Sequence, residues 1–376
     1  MKIFTLYCIS FALFVMPDQL KAQDIWTGYG HLFQPVRNYV VCQSVHPVVI
    51  DGKGDEFSWE QAAWIVDFED IEGPQKPKPL HPTKVKMLWD SRCLYVLAEL
   101  EEPHIWAYYD QHDQIVYHEN DFEVFIDPDG DTHNYFEFEL NAANTLFDLF
   151  LPKPYRNGGH PQISWNASGF KSGVSLTGTL NNPGDTDKKW TLEMAIPFES
   201  LRTEDLAPVV PQDGQVWKIN FSRVEWQTTV VNGRYQKKKD EKTGRFLSEY
   251  NWVWNPTGEI NMHTPERWGL LQFSAFPVSG KKVGFRMPAD EELKKILWLI
   301  YYKQMDFRKA HGHFAANLTN LSVPENLSAE SGRAVRLSLS VNGNQFSAQI
   351  TANDGQAFSV NETGLVQTIN SKKTNQ

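Results

Sequence analysis

Asp121-Phe122-Glu123-Val124-Phe125-Ile126-Asp127, followed after a short polar stretch by Tyr135-Phe136-Glu137-Phe138-Glu139-Leu140-Asn141, is the passage on which the fold turns. Successive side chains of an extended chain point to opposite faces. In the first segment that places Phe122, Val124 and Ile126 on one face, with Asp121, Glu123 and Phe125 on the other. In the second, Phe136, Phe138 and Leu140 share a face, and Tyr135, Glu137, Glu139 and Asn141 lie opposite. The turn-rich link Pro128-Asp129-Gly130-Asp131 to Asn134 makes the pair a hairpin with one apolar face and one acidic face.

Outward from the hairpin the same pattern repeats. Lys84–Trp89, Leu94–Leu100, Leu146–Leu151, Gly169–Leu180, Trp190–Ile196, Trp217–Trp226 and Leu270–Phe276 read as half-buried strands separated by turn residues. Val48-Val49-Ile50 reads as one more short strand closed by Asp51-Gly52. Between Pro47 and Phe276 no helix-length periodic stretch intervenes, so the chain is mostly β and an antiparallel β-sandwich is expected over 47–276. Residues 23–46 read as an irregular lead-in. Beyond Pro277-Val278-Ser279-Gly280 the pattern changes. Leu293, Ile296, Leu297, Ile300 and Tyr301 recur at helical spacing between an acidic start and a basic end, predicting one amphipathic helix over 289–311. Two β-like stretches follow, at 335–341 and 345–350. The segment 285–370 is therefore a small α+β C-terminal unit with one long helix.

The chain has 376 residues, 41% hydrophobic and 22% charged, with a formal net charge of −10, a balance that points away from nucleic acid as a partner. The one basic run, Lys237-Lys238-Lys239, reads as a solvated loop. Residues 1–22 carry Lys2, an apolar run and Ala22, the order of a secretory signal peptide, so an exported protein, periplasmic or extracellular, with no membrane span is expected. Cys42 and Cys93 then remain, read as small buried hydrophobes, with a disulfide as the alternative.

The acidic face of the hairpin is the densest functional text. Carboxylates and amides hydrogen-bond to hydroxyl groups and aromatic rings cover apolar faces, so the patch suits a polyhydroxylated ligand. Glu123 and Glu139 are also candidates for the acid and base of a glycoside hydrolase. Asp127, Asp129 and Asp131, around Gly130, have the alternation of calcium ligands, without the distal Glu of an EF-hand. No HExxH, CxxC, GxSxG or phosphate-loop motif occurs. Trp59, Trp89, Trp190 and Trp217 read as packing residues, Arg223 as a buried ion-pair partner, and His118 and His263 as loop histidines.

Taken in order, several short motifs are together similar to family 9 carbohydrate-binding modules. They are Val49-Ile50-Asp51-Gly52 with Asp55 and Trp59, Leu88-Trp89-Asp90 with Leu94-Tyr95-Val96, Glu123–Asp127, Trp190–Pro197, and Arg267-Trp268-Gly269, spanning about 47–273. The resemblance implies a β-sandwich that binds sugars, often at chain ends, carries structural calcium, and works beside polysaccharide-degrading glycoside hydrolases. It implies a sugar held between two aromatic rings, with a Glu, an Arg and Asn side chains on the hydroxyls. Glu123 matches the Glu, Asn141 an Asn, and Tyr117 the first ring; Glu139 stands at the Arg position. The second ring falls near Met262, a departure, and Trp252 or Trp254 is the expected substitute. The expected function is thus non-catalytic binding of an oligo- or polysaccharide through Tyr117, Glu123, Glu139, Asn141, Trp252 and Trp254. The alternatives are the Glu123/Glu139 hydrolase and an interaction module that has lost the clamp. The C-terminal unit more loosely resembles the globular part of type IV pilin-like proteins, and no activity is read from it.

Overall fold

In the computed structural model, which describes residues 25–66, 68–202 and 210–369, the two-faced hairpin forms as the alternation predicts. The segment read as a signal peptide lies outside the described residues. Phe122, Val124, Ile126, Phe136, Phe138 and Leu140 all sink into one apolar core together with Val85, Met87, Val96, Leu192 and Met194.

The elements in chain order are β1 (Asn38–Gln43), α1 (Phe57–Gln61), β2 (Glu69–Asp70), β3 (Thr83–Trp89), β4 (Cys93–Glu101), β5 (Asp121–Asp127), β6 (Tyr135–Asn141) and β7 (Leu146–Leu151). Then come β8 (Lys171–Thr177), β9 (Lys189–Pro197), β10 (Val216–Glu225), β11 (Thr228–Val231), β12 (Arg234–Lys237), β13 (Tyr250–Val253) and β14 (Gly269–Pro277). One hydrogen-bonded path runs β7-β6-β5-β10-β14-β1-β3-β4-β9-β8, with β13 on β10 and β2 on β13. The path curls so that its two ends share the core: the Phe138 ring of β6 stacks on Phe170, just before β8, at 5.4 Å and 7°. The protein is mostly β and sandwich-like, as expected.

Several details differ from the sequence reading. The lead-in is not irregular throughout, because β1 joins the two halves of the sheet, pairing in parallel with both β14 and β3. The sheet is therefore mixed at its seam; β1 is short and its partners lie far along the chain, so no hairpin signal marks it. Conversely, Val48–Ile50 is not a strand. Side chains take its neighbouring N–H groups instead: Val49 donates to Glu56, and Asp51 and Gly52 donate to Glu193 Oε2 at 3.0 and 2.7 Å. The other oxygen of Glu193 accepts the Trp59 indole N–H at 2.8 Å. Glu193 is fully buried, and this knot ties the Asp51-Gly52 turn and α1 to β9. The motif residues Gly52, Trp59 and Glu193 are thus linked by burial and hydrogen bonding. Asp90 plays the matching part at the β3–β4 turn, where it accepts from Arg92, Cys93 and the Tyr95 hydroxyl. Cys42 and Cys93 are both free thiols, half-buried rather than fully buried as read from the sequence. The basic run begins on β12 rather than in a loop, with Lys237 Nζ 3.9 Å from the centre of the Trp226 ring.

The C-terminal unit consists of α2 (Glu291–His311) and a five-stranded sheet, β15 (Asn326–Ser328), β16 (Ala334–Asn342), β17 (Gln345–Ala352), β18 (Ala357–Asn361) and β19 (Val366–Thr368), in sequential order. The helix lays Leu293, Ile296, Leu297, Ile300 and Tyr301 on Leu337, Phe346, Ala348, Ile350 and Val360. It also reaches the sandwich. Glu291 pairs with Lys218 of β10 at 2.8 Å, and the Tyr301 hydroxyl donates to Asn157 at 2.6 Å.

Gly52 sits at φ +83°, and a Cβ there would come within 2.6 Å of the Val174 backbone. Gly52→Ala is expected to lower unfolding free energy by about 2–5 kcal/mol in urea denaturation, from strained backbone and overpacking together. An unchanged midpoint would show that the knot tolerates displacement.

Candidate functional site

With one face of β5 and β6 committed to the core, the opposite face collects side chains in rows across four strands. Glu123 stands opposite Ser222 of β10 and Glu139 of β6, and Glu139 stands opposite Phe147 of β7. The next row places Phe125 between Asn220 and Glu137, with Leu149 beyond. Of these residues, Glu123, Phe125, Glu137, Glu139, Phe147 and Leu149 floor a cleft of about 450 Å³. Polar groups converging in a concave, partly apolar pocket are the usual form of a small-ligand site.

The walls come from loops. Tyr117 sits on the turn Val116–His118, 40% exposed, with its backbone N–H donating to Glu139 Oε2 at 3.3 Å and its carbonyl accepting the Trp226 indole N–H. Tyr155, 43% exposed, forms another wall and meets the His263 ring edge-on at 4.4 Å. The segment Ile260–His263 also lines the cleft; its Met262 carbonyl accepts the Trp268 indole N–H at 2.8 Å. The Tyr155 loop is braced from behind. Arg156 forms a two-pronged pair with buried Glu266, 2.8 Å in each arm, and Glu266 also bonds the Tyr302 hydroxyl of α2. The C-terminal helix therefore supports one wall of the cleft.

The floor is electrostatically tense. Burial pushes Glu123 up to about 7, while the Ser222 hydroxyl favours its charge. Burial, then the neighbouring carboxylates, holds Glu137 and Glu139 well above the usual range. Asp121, fully buried one row further along β5, is raised for the same two reasons. His263 is pushed the other way, down to about 3, by burial and then by Arg156. Its Nδ1 lies 3.0 Å from the Tyr135 hydroxyl, so a neutral ring is built into the wall.

Of the residues expected from sequence, Tyr117, Glu123 and Glu139 are brought together in the cleft. Asn141 is not. It is fully buried, its amide donating to the Tyr109 carbonyl and its oxygen accepting from Ala143 and Thr145, so it shapes the β6–β7 turn. Trp252 and Trp254 do not substitute for a second ring either. Trp252 is buried against Tyr250 and Arg223, and Trp254 lies in the main core beside Phe221, with Gly269 leaving room for it. Trp252 belongs to β13 and Trp254 to the bend just after it, and packing already takes both rings. Sequence reasoning missed Tyr155 and Glu249 as cleft residues, and placed Glu137 on the acidic face without giving it a role of its own. A lone tyrosine within Pro154-Tyr155-Arg156-Asn157-Gly158-Gly159 was the available signal for the first, since an aromatic in a breaker-rich loop has no core to enter.

Two further sequence candidates are placed. Asp127, Asp129 and Asp131 each bring a carboxylate oxygen within 4.8 Å of the others, the donor set and span a calcium ion takes. Asp127 already accepts the Gly130 and Thr132 N–H groups at 2.9 Å each. An oxygen of Glu123 and one of Glu139 also lie within 4.8 Å. A glycosidase acid and base need environments that push their proton affinities apart, whereas both of these are pushed upward.

A curled β-sandwich with an aromatic-walled polar cleft on one sheet face defines a ligand-binding β module. The chain belongs to the carbohydrate family 9 binding domain-like family, whose sequence model matches residues 50–271, more than half of its length. It is 28% identical over 156 residues to endo-1,4-beta-xylanase C of Paenibacillus barcinonensis and 27% identical over 188 residues to exoglucanase XynX of Acetivibrio thermocellus. Those matches cover 42% and 50% of this chain but only 12% and 15% of the two relatives. Among solved structures it resembles a family 9 carbohydrate-binding module of Caldicellulosiruptor kristjanssonii in complex with glucose, with 15% identity and a TM-score of 0.40 over 65% of this chain and all of that one. Among the described residues no helix is long and apolar enough to cross a membrane.

The depressed His263 has a signed consequence. The folded ring resists protonation below its ordinary value of 6.5, so wild-type stability is lost as pH falls from there toward 3. His263→Gln removes that component. Urea denaturation at pH 7 and pH 4.5 is expected to show the variant losing roughly 2–3 kcal/mol less than wild type over the interval; parallel losses would refute a neutral buried ring.

Proposed function

We propose that this protein is an exported, non-catalytic carbohydrate-binding protein whose cleft takes the end of an oligo- or polysaccharide. The observation that carries the reading is the joint placement of Tyr117 and Glu123 in one open cleft, within the segment that matches the family. Tyr117 and Tyr155 present rings from the walls to the apolar face of a sugar, and Glu123, Glu137 and Glu139 offer hydrogen-bonding groups from the floor. Tyr155 supplies the second ring that Met262, Trp252 and Trp254 do not. Glycoside hydrolases acting on the same polysaccharide are the natural companions of such a binder. Calcium at Asp127, Asp129 and Asp131 would hold the β5–β6 turn and neutralise three converging carboxylates.

The test is a glycan array followed by affinity electrophoresis of the best ligand. Tyr117→Ala and Tyr155→Ala are each expected to weaken binding by about tenfold or more, the loss of roughly 1.4 kcal/mol of ring contact. Release of reducing ends that Glu123→Gln abolishes would instead establish a hydrolase. A folded protein silent in both assays would point to an interaction module, as the Met262 departure allows. Separately, millimolar calcium is expected to raise the melting temperature, and Asp131→Asn to diminish that rise; no rise in the wild type would remove calcium from the turn.

A further inference from the structure

The floor of the cleft gathers carboxyl groups without an answering positive group. Glu123, Glu137, Glu139 and Glu249 line it, and among the described lining residues there is no Lys or Arg. Several other buried acids of this protein are answered. Glu266 has Arg156, Glu102 and Glu225 share Arg223, and Glu193 receives three N–H groups. Leaving buried charge unanswered is costly, so the exception at the cleft floor calls for a ligand.

Asp121 identifies its kind. It is fully buried, and neither of its oxygens accepts a hydrogen bond of normal geometry; a looser backbone hydrogen bond from the Val224 N–H favours its charge. The Ser222 hydroxyl, beside Glu123 across the β5–β10 pair, is also buried without a well-formed bond. One oxygen each from Asp121, Glu123 and Glu139 lie within 4.8 Å of one another. Oxygens on a shell of about 2.4 Å around one ion are separated by no more than about 4.8 Å.

We infer that Asp121, Glu123 and Glu139 hold a divalent cation of the calcium type at the base of the cleft, with its remaining coordination positions turned toward saccharide hydroxyls. Hard oxygen donors select calcium or magnesium over softer metals, and a floor this dry disfavours magnesium, which keeps several waters. Asp121 does not line the cleft, so an ammonium group carried on a sugar ring does not reach it, whereas a bare ion does. The cation does not depend on the carbohydrate reading; its contact with hydroxyls does.

The full chain, stripped with EDTA, is titrated with calcium chloride by calorimetry alongside Asp121→Asn and Glu139→Gln, with circular dichroism confirming the fold of each. Each variant is expected to bind one calcium equivalent fewer than wild type, or to bind it at least tenfold more weakly. Glu139→Gln, at the cleft surface, carries the test should Asp121→Asn fail to fold. No calcium binding by wild type, or binding that both variants leave unchanged, overturns the site. So does glucosamine binding that Glu139→Gln abolishes in a protein indifferent to calcium. For a glycan found on the array, EDTA is expected to weaken binding at least tenfold; unchanged affinity removes the hydroxyl contact. Calcium bound at the floor with no glycan bound refutes the carbohydrate reading and leaves the cation site standing.

Discussion

Six apolar side chains, Phe122, Val124 and Ile126 on β5 with Phe136, Phe138 and Leu140 on β6, hold the hairpin in a register that cannot slip by one residue. A single-residue slip of either strand would turn its carboxylates toward the core and its three hydrocarbons away from it. That constraint determines everything on the opposite face. Because the core takes one set of side chains, the cleft must take the other, and Glu123 and Glu139 meet side by side whether or not a ligand is there.

The cleft itself is built by what lies over that face. Loops carrying Tyr117, Tyr155 and Met262 rise around a sheet surface that would otherwise be open to water. They turn a solvated acidic face into a floor where burial raises Glu123, Glu137 and Glu139. The raised proton affinity is therefore a product of two separate facts: strand alternation, which gathers the acids, and loop packing, which removes their water.

Distant parts of the chain hold those loops in place. Arg156 and Glu266 join the Tyr155 loop to the turn before β14, and Tyr301 and Tyr302 of α2 fasten the same region from the C-terminal unit. At the other end, Glu193 binds the Asp51-Gly52 turn and Trp59 to β9. The short motifs scattered over the family segment are explained by such joints, since a buried carboxylate accepting several N–H groups tolerates little change around it.

The amino-acid sequence by itself determined the strands, their faces, the long C-terminal helix and the meeting of Glu123 with Glu139, because alternation and helical spacing are local properties of the chain. Tyr117 was legible beside them through the family resemblance. The parallel placement of β1, the burial of Trp252 and Trp254, the diversion of Asn141 into a turn and the arrival of Tyr155 in the cleft were decided only by the tertiary structure. Each depends on which surfaces pack first against partners far along the chain, and an aromatic residue carries no mark of whether its ring will be covered or left open.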